Sequence, residues 1–285
     1  MNRMPSNPLR SLEQSDPALA PDGLQFITVK SPALGQRADI TLFVPRQLAQ
    51  RAAGAGDVPI VTLLHGVYGS HWAWAFKGGA HRTAARLVNA GVIPPLVIAM
   101  PSDGLWGDGS GYVRHGDAAR GQDFERWIVE DVPAAVRQAC PACTPASPQC
   151  IAGLSMGGFG ALRIAGKHPG QYRAAAAHSA MTDIAQFDGL VAEPRSAWST
   201  ASADTSVLDA LCTAPGPLPA LRLDCGRDDF LIEANRDLHR GLQAAGIAHV
   251  YEEFAGGHDW SYWALHLEDT LRFFGATLAR AGRTA

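Results

Sequence analysis

The sequence has no strong charge of either sign: 24 Lys and Arg stand against 27 Asp and Glu, a formal net of −3. Without a basic field the chain has no electrostatic footprint for nucleic acid or for an anionic membrane. No window approaches eighteen uninterrupted apolar residues, so no membrane-spanning helix is expected. The stretch Met1 to Asp22 is polar and proline-bearing with no apolar core, so it reads as a tail and not as a secretory signal. Cysteine is sparse and odd in number, with five residues. That count speaks for a reducing, cytoplasmic setting over a disulfide framework. Cys140-Pro141-Ala142-Cys143 has redox spacing, but it lies in a proline-rich stretch without a strand leading into a helix, and it reads as a plain loop. Cys150, Cys212 and Cys225 read as small buried apolar residues. Also missing are H-E-x-x-H, G-x-x-x-x-G-K-[ST] and a G-x-G-x-x-G placed after a strand, so no metal and no nucleotide cofactor is expected.

What remains is an ordinary globular composition. With 285 residues, 47% hydrophobic and 18% charged, the chain is long enough for one large domain burying roughly 75% of its unfolded surface. Thirty Gly and nineteen Pro imply many tight turns. Eight short apolar runs recur: Phe26–Val29, Ile40–Val44, Ile60–Leu64, Leu96–Met100, Cys150–Gly153, Ala174–Ala177, Leu221–Cys225 and Val250–Phe254. From Ile60 onward they lack clean alternation, as strands buried on both faces should; the first two resemble edge strands of a mixed sheet. Between them lie helix candidates at Ala80–Ala90, Phe124–Ala139, Met156–His168, Glu233–Ala245 and Tyr262–Leu278, with Gly91 and Gly246 at C-terminal cap positions and Pro169 as a stop. The alternation predicts an α/β fold with a mostly parallel eight-stranded sheet and helices on both faces. The domain should run over 23–285, after a polar tail over 1–22. A segment over about 187–219 breaks the alternation and reads as a small cap-like insertion over the carboxyl ends of the strands.

The strongest local signal is Gly153-Leu154-Ser155-Met156-Gly157, between a buried run and a helix. A sharp strand-to-helix turn lifts a serine hydroxyl above the sheet, and side chains two before and two after it would collide, so both positions are glycine. A serine hydroxyl needs a base, and the base needs an orienting acid. In this architecture the order is Ser, acid, His. His258 leaves the last strand between glycines in Ala255-Gly256-Gly257-His258-Asp259-Trp260, and is the candidate base; His65 and His178, also at strand ends, read as structural. Asp229, in Gly226-Arg227-Asp228-Asp229-Phe230, is the favoured acid, with Asp228 beside it and Asp183 as a remote alternative. An oxyanion formed in acyl transfer needs donors. The backbone amide of Met156 is one. The second is the amide of Val67 in His65-Gly66-Val67-Tyr68-Gly69-Ser70, although spacing alone leaves a plain glycine-rich turn equally open. Trp72, Trp74, Trp260 and Trp263 lie on neighbouring loops and are candidate substrate-binding residues; Ser102 and Asp103 are expected on the same rim. Glu130 and Asp131 read as a solvated or capping helix face.

Together, His65-Gly66 with Trp74, Gly153-Leu154-Ser155-Met156-Gly157-Gly158, Gly226-Arg227-Asp228-Asp229-Phe230-Leu231 and Gly257-His258-Asp259-Trp260 resemble the esterase D (S-formylglutathione hydrolase-like) family of α/β-hydrolases, from about Leu24 to Phe274. The resemblance implies Ser155 as nucleophile, Asp229 as acid, His258 as base and the amides of Val67 and Met156 as oxyanion donors. It implies a cytoplasmic hydrolase that cleaves carboxylic esters or thioesters of short acyl groups through an acyl-enzyme, with a small-molecule ester or thioester as its partner. A homo-oligomer is compatible with it. An acyltransferase on the same scaffold is the alternative, and a non-catalytic binding protein the remote one. Two stretches depart from the family pattern: the glycine- and charge-rich 103–122 and the segment around 196–213.

Overall fold

The computed structural model describes residues 9, 11–19, 21–49, 57–105, 107–116 and 122–281. Much of the 1–22 stretch, and residues 106 and 117–121 of the glycine-rich one, lie outside the described residues.

The sheet has nine strands: β1 Leu12–Gln14, β2 Leu24–Lys30, β3 Arg37–Phe43, β4 Ile60–Leu64, β5 Val97–Pro101, β6 Gln149–Leu154, β7 Tyr172–His178, β8 Ala220–Gly226 and β9 Val250–Phe254. Their order is β1-β2-β3-β5-β4-β6-β7-β8-β9. The first three pair antiparallel, β3 joins β5 antiparallel, and every pairing from β5 to β9 is parallel. The eight apolar runs all become strands. The ninth is β1, within the stretch read as a tail: Leu12, Glu13 and Gln14 pair with Val29, Thr28 and Ile27. Being a three-residue edge strand with mostly exposed side chains, it carries no hydrophobic signature. It also moves β2 and β3 off the edge where the sequence placed them. At the other edge β9 is only half-buried, and its Glu252 and Glu253 accept from Arg222 (2.8 Å) and Arg236 (2.8 Å).

The sheet sorts its side chains by alternation. Ile60, Leu64, Val97, Ala99, Ile151 and Ala175 pack on one face with the helix Met156–Lys167, while Val61, Leu63, Ile98, Met100, Cys150 and Ala174 pack on the other with the helices Ala80–Asn89 and Trp260–Ala281. Burial on both faces explains why these strands read as continuous apolar runs. Gly91 and Gly246 take positive φ where two helices end. The predicted helix over Phe124–Ala139 is interrupted by a π-helical turn, Trp127–Asp131. There Asp131, expected on a solvated or capping face, is 1% exposed; it accepts hydrogen bonds from Ser31 Oγ (2.5 Å) and the Ala33 amide (3.1 Å). Such one-residue insertions re-aim side chains. Cys212 ends the short helix Val207–Cys212 and is exposed, contrary to expectation. Cys140 and Cys143 sit in a loop, as expected, with their thiols hydrogen-bonded to each other, which lowers the Cys140 thiol from its ordinary value.

Between β4 and β6 the connections diverge, one running outward to β5 and the other inward to β7. In an open parallel sheet that divergence leaves a crevice at the carboxyl ends of the strands. The register Leu64↔Gly153 brings the β4 and β6 ends side by side there.

Candidate active site

Ser155 stands in the turn from β6 into the helix Met156–Lys167 with φ 52° and ψ −119°, a left-handed backbone costly for a residue with a Cβ. Three backbone bonds hold it: its amide donates to His178 O (3.0 Å), and its carbonyl accepts from Phe159 N (3.1 Å) and Met181 N (3.1 Å). The glycines do what the steric argument required. A Cβ on Gly153 would drive into the Gly157 carbonyl, and one on Gly157 into the Leu64 carbonyl. Across the crevice, a Cβ on Gly66 would come within 3.3 Å of Ser155 Cβ, so the β4 loop and the serine turn are in near contact.

The loops after β8 and β9 bring the other two side chains. They are laced together by Arg227 N to Phe254 O (2.8 Å) and Asp228 N to Gly256 O (3.0 Å). His258 Nε2 lies 3.0 Å from Ser155 Oγ, and its Nδ1 lies 2.8 and 3.0 Å from the two oxygens of Asp229. Because a carboxylate only accepts, Nδ1 carries the proton and Nε2 is left to accept from the serine hydroxyl. Asp229 is buried and also accepts from the Leu231 amide (2.8 Å). The imidazole packs against Phe230 (4.5 Å between centroids) and edge-on against Trp263 (4.9 Å). Asp228 spends its amide on the loop contact and Asp183 caps a short helical turn through Ala185 N (2.8 Å); neither meets His258.

A cavity of about 400 Å³ opens over Ser155 and His258, walled by Gly66, Val67, Leu154, Leu190, Phe230 and indoles. Val67 lines it, while Met156 opens the helix at Ser155, where the first-turn amides have no intrahelical acceptor. Trp72, Trp260 and Trp263 line the wall, but Trp74 does not: it is 1% exposed and its indole N–H donates to Leu64 O (2.9 Å) beneath the floor. Two residues apart on one short helical turn, Trp72 and Trp74 face opposite sides. Ser102 and Asp103 also lie outside the wall. Both are buried, with Ser102 O accepting from Trp127 Nε1 (2.8 Å) and Asp103 accepting from Ser110 N (2.9 Å). Of the inserted segment over 187–219, only Leu190 reaches the cavity; its later helix, Val207–Cys212, instead abuts the helix Met156–Lys167, where a Cβ on Gly166 would meet Ala210 O at 2.5 Å.

His65 and His178 are structural, as expected. His65 Nδ1 bonds its neighbour's carbonyl, Gly66 O (2.7 Å). His178, sealed in the core, joins Asp224 (3.0 Å) and Thr270 (3.1 Å). Burial pushes the Asp224 carboxyl up, but His178 and Arg222 together outweigh it and hold it below its ordinary value. This second Thr–His–Asp string has no access to the cavity and no signal in the sequence. Among the described residues no cluster of His, Cys, Asp or Glu could hold a metal ion.

The family model described as "Putative esterase" matches residues 31–274. The chain belongs to that esterase family. It is therefore an ester hydrolase by family, with an α/β-hydrolase fold. It is 28% identical over 246 residues to an acetyl esterase of Caldicellulosiruptor saccharolyticus, covering 80% of this chain and 88% of the relative. In fold it is similar to the fluorophosphonate-binding serine hydrolase F of Staphylococcus aureus (TM-score 0.72, 22% identity, 87% of this chain and 96% of that one). It is likewise similar to an S-formylglutathione hydrolase of Agrobacterium tumefaciens (TM-score 0.71, 18% identity, 95% and 99%). No helix among the described residues of this esterase is long and apolar enough to cross a membrane.

Proposed function

We propose that this esterase cleaves carboxylic esters or thioesters of short acyl groups through a covalent acyl-enzyme on Ser155. The observation that carries the reading is the unbroken string Ser155 Oγ, His258 Nε2, His258 Nδ1, Asp229, with 3.0 Å at one end and 2.8 Å at the other. His258 takes the hydroxyl proton as Ser155 attacks the carbonyl, and Asp229 steadies the imidazolium so formed. The tetrahedral oxyanion sits against the amides of Val67 and Met156, at the positive end of the following helix. His258 then protonates the departing alcohol or thiol, and water repeats the cycle on the acyl-enzyme. The cavity's 400 Å³ and its indole walls suit a short acyl chain with a compact leaving group. The free state of all five cysteines suits a reducing, cytoplasmic setting.

Ser155→Ala should lower kcat for p-nitrophenyl acetate by about 10⁴-fold or more while leaving the circular dichroism spectrum unchanged. Undiminished turnover by that variant would reject Ser155 as the nucleophile.

A further inference from the structure

One wall of the cavity carries a cation that the hydrolytic reading does not use. Lys77 lines the same cavity as Ser155 and His258. Its ammonium lies 5.9 Å from the ring centroid of Trp72 and 5.9 Å from that of Trp260. Two indole faces orient an ammonium without neutralising it. Among the described residues Lys77 has no carboxylate within salt-bridge distance, unlike Arg86, Arg126 and Arg272 on the surface, each of which is paired with a glutamate. The acidic residue among those lining the cavity is Asp259. Its Oδ1 accepts from the amides of Ser261 (2.8 Å) and Tyr262 (3.2 Å) and from the Ser261 hydroxyl, which fixes the carboxylate at the start of the helix Trp260–Ala281 and away from an ion pair with Lys77. A cavity with an unpaired ammonium in its wall calls for a negatively charged ligand group.

We infer that Lys77, held between Trp72 and Trp260, is an anion subsite that selects substrates carrying a carboxylate or comparable anionic group near the scissile carbonyl. As a statement about substrate, this rests on the serine-hydrolase reading; as a statement about binding, it does not. The anionic group can belong to the acyl part or to the leaving group. Comparing p-nitrophenyl hemisuccinate with p-nitrophenyl butyrate probes the acyl side, and 4-acetoxybenzoate with phenyl acetate the leaving-group side.

The test measures kcat/KM for both pairs in the wild type, Lys77→Ala and Lys77→Glu, and titrates benzoate and benzamide into each protein by tryptophan fluorescence. Lys77→Ala should lower kcat/KM for the preferred anionic ester about fivefold and Lys77→Glu by more, while the neutral esters change less than about twofold. The wild-type preference should shrink as salt is raised. Benzoate should bind the wild type more tightly than benzamide does and lose that advantage in both variants. Anionic-to-neutral ratios and benzoate affinities that stay the same in all three proteins would overturn the subsite. A wild type that hydrolyses none of the esters but binds benzoate through Lys77 would sink the hydrolytic reading and leave the subsite standing.

Discussion

Asp229 meets the imidazole of His258 with both carboxylate oxygens and is itself anchored by the Leu231 amide. A residue so fixed sets the tautomer of the ring it touches. Asp229→Asn keeps the shape but offers an N–H where an acceptor is needed, so Nε2 becomes the protonated nitrogen. The expected result is a drop in kcat of about 10³- to 10⁴-fold, with KM within a few-fold of the wild type in steady-state assays; kcat near wild type would show that Asp229 does not orient the base. At this scale the sequence was informative wherever a side chain is forced. Gly153 and Gly157 were legible because a carbonyl occupies the space of a Cβ at each. Asp229 could be ranked above Asp228 only by loop position, and the structure separates them by what each touches. Trp72 and Trp74 could not be told apart, since exposure of 40% against 1% depends on which way a four-residue turn faces the sheet.

The helix that begins at Ser155 is tied down along its length by a buried charge network. Arg163, fully buried, donates to Glu125 (2.8 Å), Asp204 (2.7 Å) and Tyr112 O (2.5 Å), and Lys167 donates to Glu125 (2.8 Å). Burial by itself would raise the Glu125 carboxyl, but His168, Arg163 and Lys167 reverse this and hold it far below its ordinary 4.5. A carboxylate that is harder to protonate in the folded state than in the unfolded chain contributes stability above about pH 4.5. That contribution drains away as the pH falls below it. Glu125→Gln should therefore cost about 2 kcal/mol near neutral pH, because Arg163 loses one of its two carboxylate partners while Asp204 remains. Its stability should also fall less steeply than the wild type's on acidification. Urea unfolding at a series of pH values measures both, and parallel pH profiles for the two proteins would contradict the assignment. Nothing local in the sequence announced this network, because Glu125 and Arg163 are 38 residues apart and meet only through the fold. The π-helical turn at Trp127–Asp131 was hidden for the same reason. It exists to bring Asp131 to Ser31 and Ala33, and periodicity sees only one continuous helix.

Across the whole molecule, the mixed sheet and its order decide where chemistry can occur. Central strands buried on both faces announce themselves as apolar runs, and β2, β3 and β9 still carried enough apolar residues to be read, so eight of the nine were readable. β1 was not, because three edge residues held by backbone bonds need no hydrophobic pattern. The parallel run of strands from β5 to β9 explains why loops after β4, β6, β8 and β9 converge on one edge. Loop convergence made Ser155 and His258 predictable partners although they are 103 positions apart in the chain. The inserted segment shows the opposite limit. A break in the alternation suggested a cap-like insertion there, but whether the segment roofs the cavity or packs beside it depends on contacts such as that of Gly166 with Ala210, which composition does not encode.

The central claim is that Ser155 is a nucleophile activated by His258. Intact-protein mass spectrometry after incubation with a fluorophosphonate tests it most directly, since the reagent phosphonylates only an activated serine and expels fluoride. The account predicts one adduct per chain on the wild type, mapped by peptide analysis to Ser155, and none on Ser155→Ala or on the wild type after denaturation. An unmodified wild type, or an adduct on a serine other than Ser155, would contradict it.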